Sequence, residues 1–204
     1  MKKQETSQLT EGFKISKNSS VIPSTTRDLN KAVEILKTGG VIIFPSDTVY
    51  GIGCRYDSEV GIARIRRIKG STQDFPVLVA SFKQAYDLAK FNTSAIHLAN
   101  KYWPGGLTLI VPEKNGTNNI ALRIADSEIV KVLIEKSGFP IIGTSANYHG
   151  QPSPGSSEQI DKSFATKADF IIKGTCKFKQ QSTVIDATGD VPRIIREGAV
   201  EVRQ

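Results

Sequence analysis

Cysteine is almost missing from this 204-residue chain: Cys54 and Cys176 stand far apart and outside any CxxC pairing. That excludes a disulfide framework and a cysteine-based zinc site. Histidine is equally scarce, with His97 and His149 alone. Neither has a carboxylate at ligand spacing, so both are expected to be structural or exposed, and no protein-held metal is expected. No serine sits in a GxSxG elbow, and neither a P-loop nor a full dinucleotide fingerprint occurs, which argues against a hydrolase triad and the common glycine-rich nucleotide cradles. No apolar run approaches the ~20 residues of a membrane helix. The opening MKKQETSQLTEGFKISKNSS is polar, carries Glu5 and Glu11, and lacks the apolar centre of a secretory signal. These absences lead to the expectation of a cytoplasmic protein without membrane partners, with a flexible N-terminal arm over residues 1–25.

Positive charge is in excess. Lysine and arginine number 27 against 20 acidic residues, a formal net charge of +7, which favours a polyanionic partner such as a nucleotide or RNA. The length fits one well-filled domain better than two. Residues 26–204 are therefore read as one domain, without repeats or an internal linker.

Helices and strands alternate along it. Residues 28–40 place Leu29, Ala32, Val33 and Leu36 on one helical face, with Thr26 as an N-cap. Ser58, Ser81 and Ser127 stand where N-caps of later helices belong, 93–103 is helical by pattern, and Gly138 closes the helix after Ser127. Ser156 with Gln159 forms a possible capping box. Short apolar runs at 41–44, 76–80, 107–111, 120–124, 140–143, 170–172, 183–185 and 192–195 read as strands. The pattern predicts an α/β layer structure with helices covering a twisted sheet.

Residues 41–53, VIIFPSDTVYGIG, carry the clearest functional signal. A strand breaks there into small hydroxyls and glycines, a combination that suits a ligand loop and equally a tight turn. Hydroxyl clusters recur at Thr144, Ser145 and Asn147 and at Ser182 and Thr183, while Lys69, Arg123 and Arg196 lie near other element ends. Brought together, these residues make a concave site rich in donors and fixed cations and poor in bases. It would act on a phosphate- or carboxylate-bearing ligand by positioning and charge stabilisation. Asp47 and Asp186 are open to two readings, as contacts for a nucleotide-borne Mg²⁺ or as turn and strand-end carboxylates.

Taken in order, FPSDTVYGIG, Lys69 ahead of Pro76, WPGGLT, Arg123, TSAN, GQPSP, STVID and RIIREG resemble the YrdC-type threonylcarbamoyl-AMP synthase family, in its short, single-domain form. The resemblance runs from about Leu29 to Gly198. It implies a twisted mixed sheet of the YrdC/RibB kind, with flanking helices around a large basic cavity. It also implies a reaction in which L-threonine, bicarbonate and ATP, usually with Mg²⁺, give threonylcarbamoyl-AMP and pyrophosphate for tRNA modification. Downstream tRNA-modification proteins and tRNA itself are the further partners implied. By the same resemblance Thr48, Arg123 and Thr183 hold threonine, while Lys69, Ser145, Asn147, Ser153 and Arg196 hold the nucleotide. Lys69 and Arg196 then also carry the catalytic charge.

The chain departs from that family's pattern in places. Lys-x-Arg-Pro reads Lys69-Gly70-Ser71-Thr72, WPGP ends in Gly106, and Arg-Pro-Gly reads Arg196-Glu197-Gly198. Loss of the arginine removes a fixed charge, and hydrogen bonds to charged groups contribute roughly 1.5–3 kcal/mol. Arg55, Arg66 and Arg67 are the cations in reach by sequence. Two other readings therefore stand beside synthesis: a paralogue with altered chemistry, such as an adenylate hydrolase or a user of another substrate, and a non-catalytic RNA-binding module.

Overall fold

The run VIIF has no polar alternation, so a strand made from it must be covered on both faces. In the computed structural model, which describes residues 26–202, β1 (Ile42–Pro45) meets that demand. Ile42 and Phe44 pack with Ala32, Val33 and Leu36 of α1 (Thr26–Lys37) and with Val130, Leu133 and Ile134 of α5 (Glu128–Ser137). Val41 and Ile43 enter a second core on the opposite side. The arm expected over 1–25 lies outside the described residues.

After β1 the chain does not remain a glycine-rich loop. It turns through four buried residues, 46–49, and returns as β2 (Tyr50–Gly53), antiparallel to β1 in register from Ile42↔Gly53 to Pro45↔Tyr50. The glycines thus serve packing: a Cβ on Gly53 would lie 2.0 Å from the Ile142 carbonyl oxygen and 2.9 Å from the Phe44 ring.

The sheet expected from the alternation is resolved as two mixed sheets. One has the order β7-β2-β1-β8, with β7 (Thr144–Ser145) antiparallel to β2 and β8 (Phe170–Ile171) parallel to β1. The other has the order β10-β9-β4-β5-β3-β6. Its strands are β3 (Val77–Leu78), β4 (Leu107–Pro112), β5 (Asn119–Arg123), β6 (Ile141–Ile142), β9 (Thr183–Asp186) and β10 (Arg193–Arg196). The single strand expected at 140–143 therefore crosses between sheets at Gly143, where a Cβ would lie 2.4 Å from Leu78 Cδ1. That crossing sets the TSAN segment on the seam between the sheets.

Helix ends follow the expected chemistry. Ser58 Oγ accepts from Gly61 N at 3.1 Å to start α2 (Glu59–Lys69), and Gly70 ends it at φ 67°. Ser81 caps α3 (Phe82–Leu88), Asn92 caps α4 (Thr93–Tyr102) and Ser127 caps α5. The Ser156/Gln159 capping box does not form. A 3₁₀ turn, Ser157–Gln159, brings the Gln159 amide to the Ser156 carbonyl at 3.3 Å, and the Gln159 side chain accepts instead from Gly155 N. The short α6 (Lys162–Ala165) was not expected, having a single turn and too few residues to show a period.

Two alanine substitutions separate backbone from side-chain crowding. Gly53→Ala meets a carbonyl that the ladder holds, while Gly143→Ala meets a leucine tip that can rotate. Urea denaturation is expected to show a loss of about 3 kcal/mol for the first and about 1 kcal/mol for the second.

Candidate functional site

Residues from both sheets line one cavity of about 650 Å³. Its deep end is organised by a buried guanidinium. The parallel pairing of β3 with β5, in register Leu78↔Arg123, places Arg123 at the strand end opposite the β1–β2 turn. Its Nη2 donates to Asp47 Oδ1, its Nη1 to Thr48 Oγ1 at 2.9 Å and its Nε to the Gly105 carbonyl at 2.8 Å. Three of five N–H donors are thus committed and two remain. Burial foremost draws the guanidinium below its usual pKa and the Asp47 carboxylate opposes this; arginine stays charged regardless. Asp47 is not a turn carboxylate on the surface. It is 3% exposed, absent from the cavity lining, and its second oxygen, Oδ2, has no partner among the described residues.

Proton bookkeeping defines what Thr48 offers a ligand. Ser46 Oγ donates to the Val49 carbonyl at 2.7 Å, so the hydroxyl pair at 2.9 Å has Thr48 donating to Ser46. Arg123 takes one Thr48 lone pair, which leaves Thr48 as an acceptor facing the cavity.

The phosphate-seeking residues sit where α2 ends against the seam. Lys69 Nζ donates to the carbonyls of Ser145 at 2.6 Å and Asn147 at 2.9 Å. Burial pushes the Lys69 ammonium down to about 8. Asn147 Nδ2 donates to the carbonyls of Tyr148 and Gln151, closing the turn after β7, while its buried Oδ1 has no partner among the described residues. Arg196 on β10 donates to the Ser182 carbonyl at 2.8 Å. Burial first and the Arg123 charge second hold it below the usual arginine value.

Of the residues expected at the site, Thr48, Lys69, Arg123, Ser145, Asn147 and Arg196 line the cavity. Ser153 and Thr183 do not. Ser153 accepts from Gln181 Nε2 at 2.6 Å and so stands behind a lining residue. The Thr183 hydroxyl donates to the Val200 carbonyl at 2.6 Å, taken up by the segment after β10. None of the three nearby arginines lines the cavity. Arg55 pairs with Asp57 and stacks on Phe139, Arg66 pairs with Asp74 at 2.9 Å, and Arg67 is exposed. Ser71, marked in the sequence as the departure from the family's arginine, lines the cavity, and Gln73, Asp74, Thr108, Gln181 and His149 are lining residues that sequence reasoning passed over or set aside. His149 follows TSAN by two residues, and that nearness was the available signal. His97 is not in this lining.

A mixed α/β shell that turns hydroxyls, amides and three cations into one cavity at a sheet seam is chemically suited to an anionic small molecule. The family model described as telomere recombination, covering Sua5, YciO and YrdC, matches residues 34–198. The chain therefore belongs to the Sua5/YciO/YrdC family. It is 36% identical over 185 residues to the threonylcarbamoyl-AMP synthase of Pyrococcus abyssi, covering 85% of this chain and 54% of that protein. The P. abyssi Sua5 structure complexed with L-threonine superposes with a TM-score of 0.77 at 35% identity, over 83% of this chain and 54% of that one. Escherichia coli YciO gives a TM-score of 0.80 at 28% identity, over 87% and 92%. The chain spans about half the length of the curated synthases of P. abyssi and Bacillus subtilis that it matches.

Lys69 carries a pH test. Its folded-state pKa lies below the ordinary lysine value of 10.5, so the unfolded chain holds the proton more tightly. The resulting penalty is fully present below about 8 and is relieved as pH rises from there towards 10.5. The stability difference between wild type and Lys69→Met is expected to shift in favour of wild type by up to about 3 kcal/mol over that interval. Urea midpoints measured across it check this, and a constant difference contradicts the burial argument.

Proposed function

We propose that the chain synthesises L-threonylcarbamoyladenylate from L-threonine, bicarbonate and ATP. The observation that carries this is the pairing of Arg123 with Thr48 at the deep end of a cavity whose seam side holds Lys69. Arg123 has two N–H donors for an amino-acid carboxylate, and the Thr48 lone pair takes a hydroxyl or amine proton. The threonine amine takes up bicarbonate carbon with loss of water to give the carbamate. A carbamate oxygen then attacks the α-phosphorus, the bond to the bridging oxygen breaks, and pyrophosphate leaves with its electron pair. Lys69 and Arg196 face the phosphates and offset the charge that develops, which is electrostatic catalysis without a strong base. The reaction is a nucleotidyl transfer.

Mg²⁺ enters this reading as the counter-ion of ATP. The described residues contain no cluster of three or more His, Cys, Asp or Glu suited to a metal, and Asp74, the lining carboxylate, is engaged by Arg66. Threonylcarbamoyl-AMP would pass to tRNA-modification proteins, with tRNA as the final acceptor. Two buried, unpaired thiols suit the reducing cytoplasm, and no helix of the described residues is long and apolar enough to cross a membrane.

Purified protein with ATP, bicarbonate and labelled threonine is expected to yield the adenylate and one pyrophosphate per turnover. Absence of both products rejects the proposal.

Ser71 favours a second reading, a paralogue acting on another substrate, because it lines the cavity while Arg66 is turned to Asp74. Ser71→Arg separates the two. A synthase with a weakened triphosphate contact should gain roughly ten- to hundredfold in kcat/KM for ATP. No gain favours the paralogue.

A further inference from the structure

Nearly every charged group in the cavity already has a partner inside the protein. Lys69 donates to two carbonyls, Arg123 to Asp47, Thr48 and Gly105, Arg196 to Ser182, and Asp74 accepts from Arg66. The imidazole of His149 differs, lining the same cavity with no hydrogen bond or ion pair to any described residue.

Its place is fixed by its neighbours. The His149 backbone N–H donates to the Lys69 carbonyl at 2.9 Å, which ties it to the end of α2. The turn that carries it is closed by Asn147 Nδ2 on the carbonyls of Tyr148 and Gln151. Tyr148 packs edge-on against Phe164 with ring centroids 5.1 Å apart, and its hydroxyl shares a hydrogen bond with Ser163 at 2.9 Å. The backbone beneath His149 is thus pinned on both sides, while its ring is left without a partner.

We propose that His149 is a phosphate-binding residue of this cavity, donating an imidazole N–H to a nucleotide phosphate held beside Lys69. The inference rests on reading the cavity as a nucleotide site. Imidazole supplies a donor group with no internal partner, whereas each charged group of the lining already makes contacts inside the protein. The other charged groups of the lining are Lys69 from α2, Asp74 from the connection to β3, Arg123 from β5 and Arg196 from β10. Lys69 keeps its charge below about 8, so a comparison made below that value isolates the imidazole.

The test is calorimetric titration of ATP, without threonine or bicarbonate, into wild type, His149→Ala and His149→Lys at one pH below about 8, where Lys69 keeps its charge. Comparison at equal pH cancels the titration of the nucleotide itself. His149 is exposed, so the variants are expected to fold, and urea midpoints verify it. Wild type is expected to bind ATP about 3–10-fold more tightly than His149→Ala. His149→Lys should keep the advantage. A wild type to His149→Ala ratio of one overturns the role of His149 and leaves the nucleotide reading standing. Failure of wild type to bind ATP overturns both.

Discussion

A guanidinium taken out of water must be given a counter-charge, and the cavity is built around that requirement. Arg123 belongs to the six-stranded sheet and Asp47 to the hairpin turn of the four-stranded one, so their ion pair joins the two sheets at the deep end of the site. Removing one partner of such a buried pair typically costs 3–5 kcal/mol, roughly 3 or more, because the other charge is left without compensation. The same contact sets the direction of Thr48 through Nη1 and holds the 105–106 turn through Nε. Geometry, charge and hydroxyl orientation at this end therefore depend on one side chain.

The seam end is stabilised differently. Lys69 meets no carboxylate among the described residues and is held by two carbonyl dipoles, which lets burial lower its pKa instead of neutralising its charge. An ammonium tied to dipoles keeps its full charge available to an incoming anion. An arginine already paired with a carboxylate contributes shape and donors more than net attraction. The two ends thus suit different groups: a carboxylate that needs forked geometry near Arg123, and phosphates that need charge near Lys69. Few of the lining groups are bases, which agrees with chemistry that proceeds by positioning and charge stabilisation.

Local features were legible in the sequence because their causes lie within a few residues. Ser58, Ser81 and Ser127 cap helices by reaching amides three positions on, and Gly138 ends its helix in the left-handed conformation. The apolar runs marked most strands to within a residue or two. Lys69, Arg123 and the hydroxyl clusters were legible as chemistry, since isolated cations and hydroxyls at element ends are seldom needed for packing alone. The resemblance carried by the motif set pointed to the family that the comparisons then showed.

Sequence alone determined which elements form and which residues bring donors and charge, because capping, periodicity and composition are short-range properties. Tertiary structure alone decided who meets whom. Asp47 looked like any turn residue until strand pairing brought Arg123 against it, and Gly51 and Gly53 looked like loop glycines until Phe44 packed on them. Thr183 and Ser182 are neighbours with similar hydroxyls, yet Val200 takes up the first while the second lines the cavity. Partners of this kind lie beyond the reach of local periodicity, 76 residues apart in the case of Asp47 and Arg123, and only the packing of two sheets across Gly143 sets the distances that choose among them.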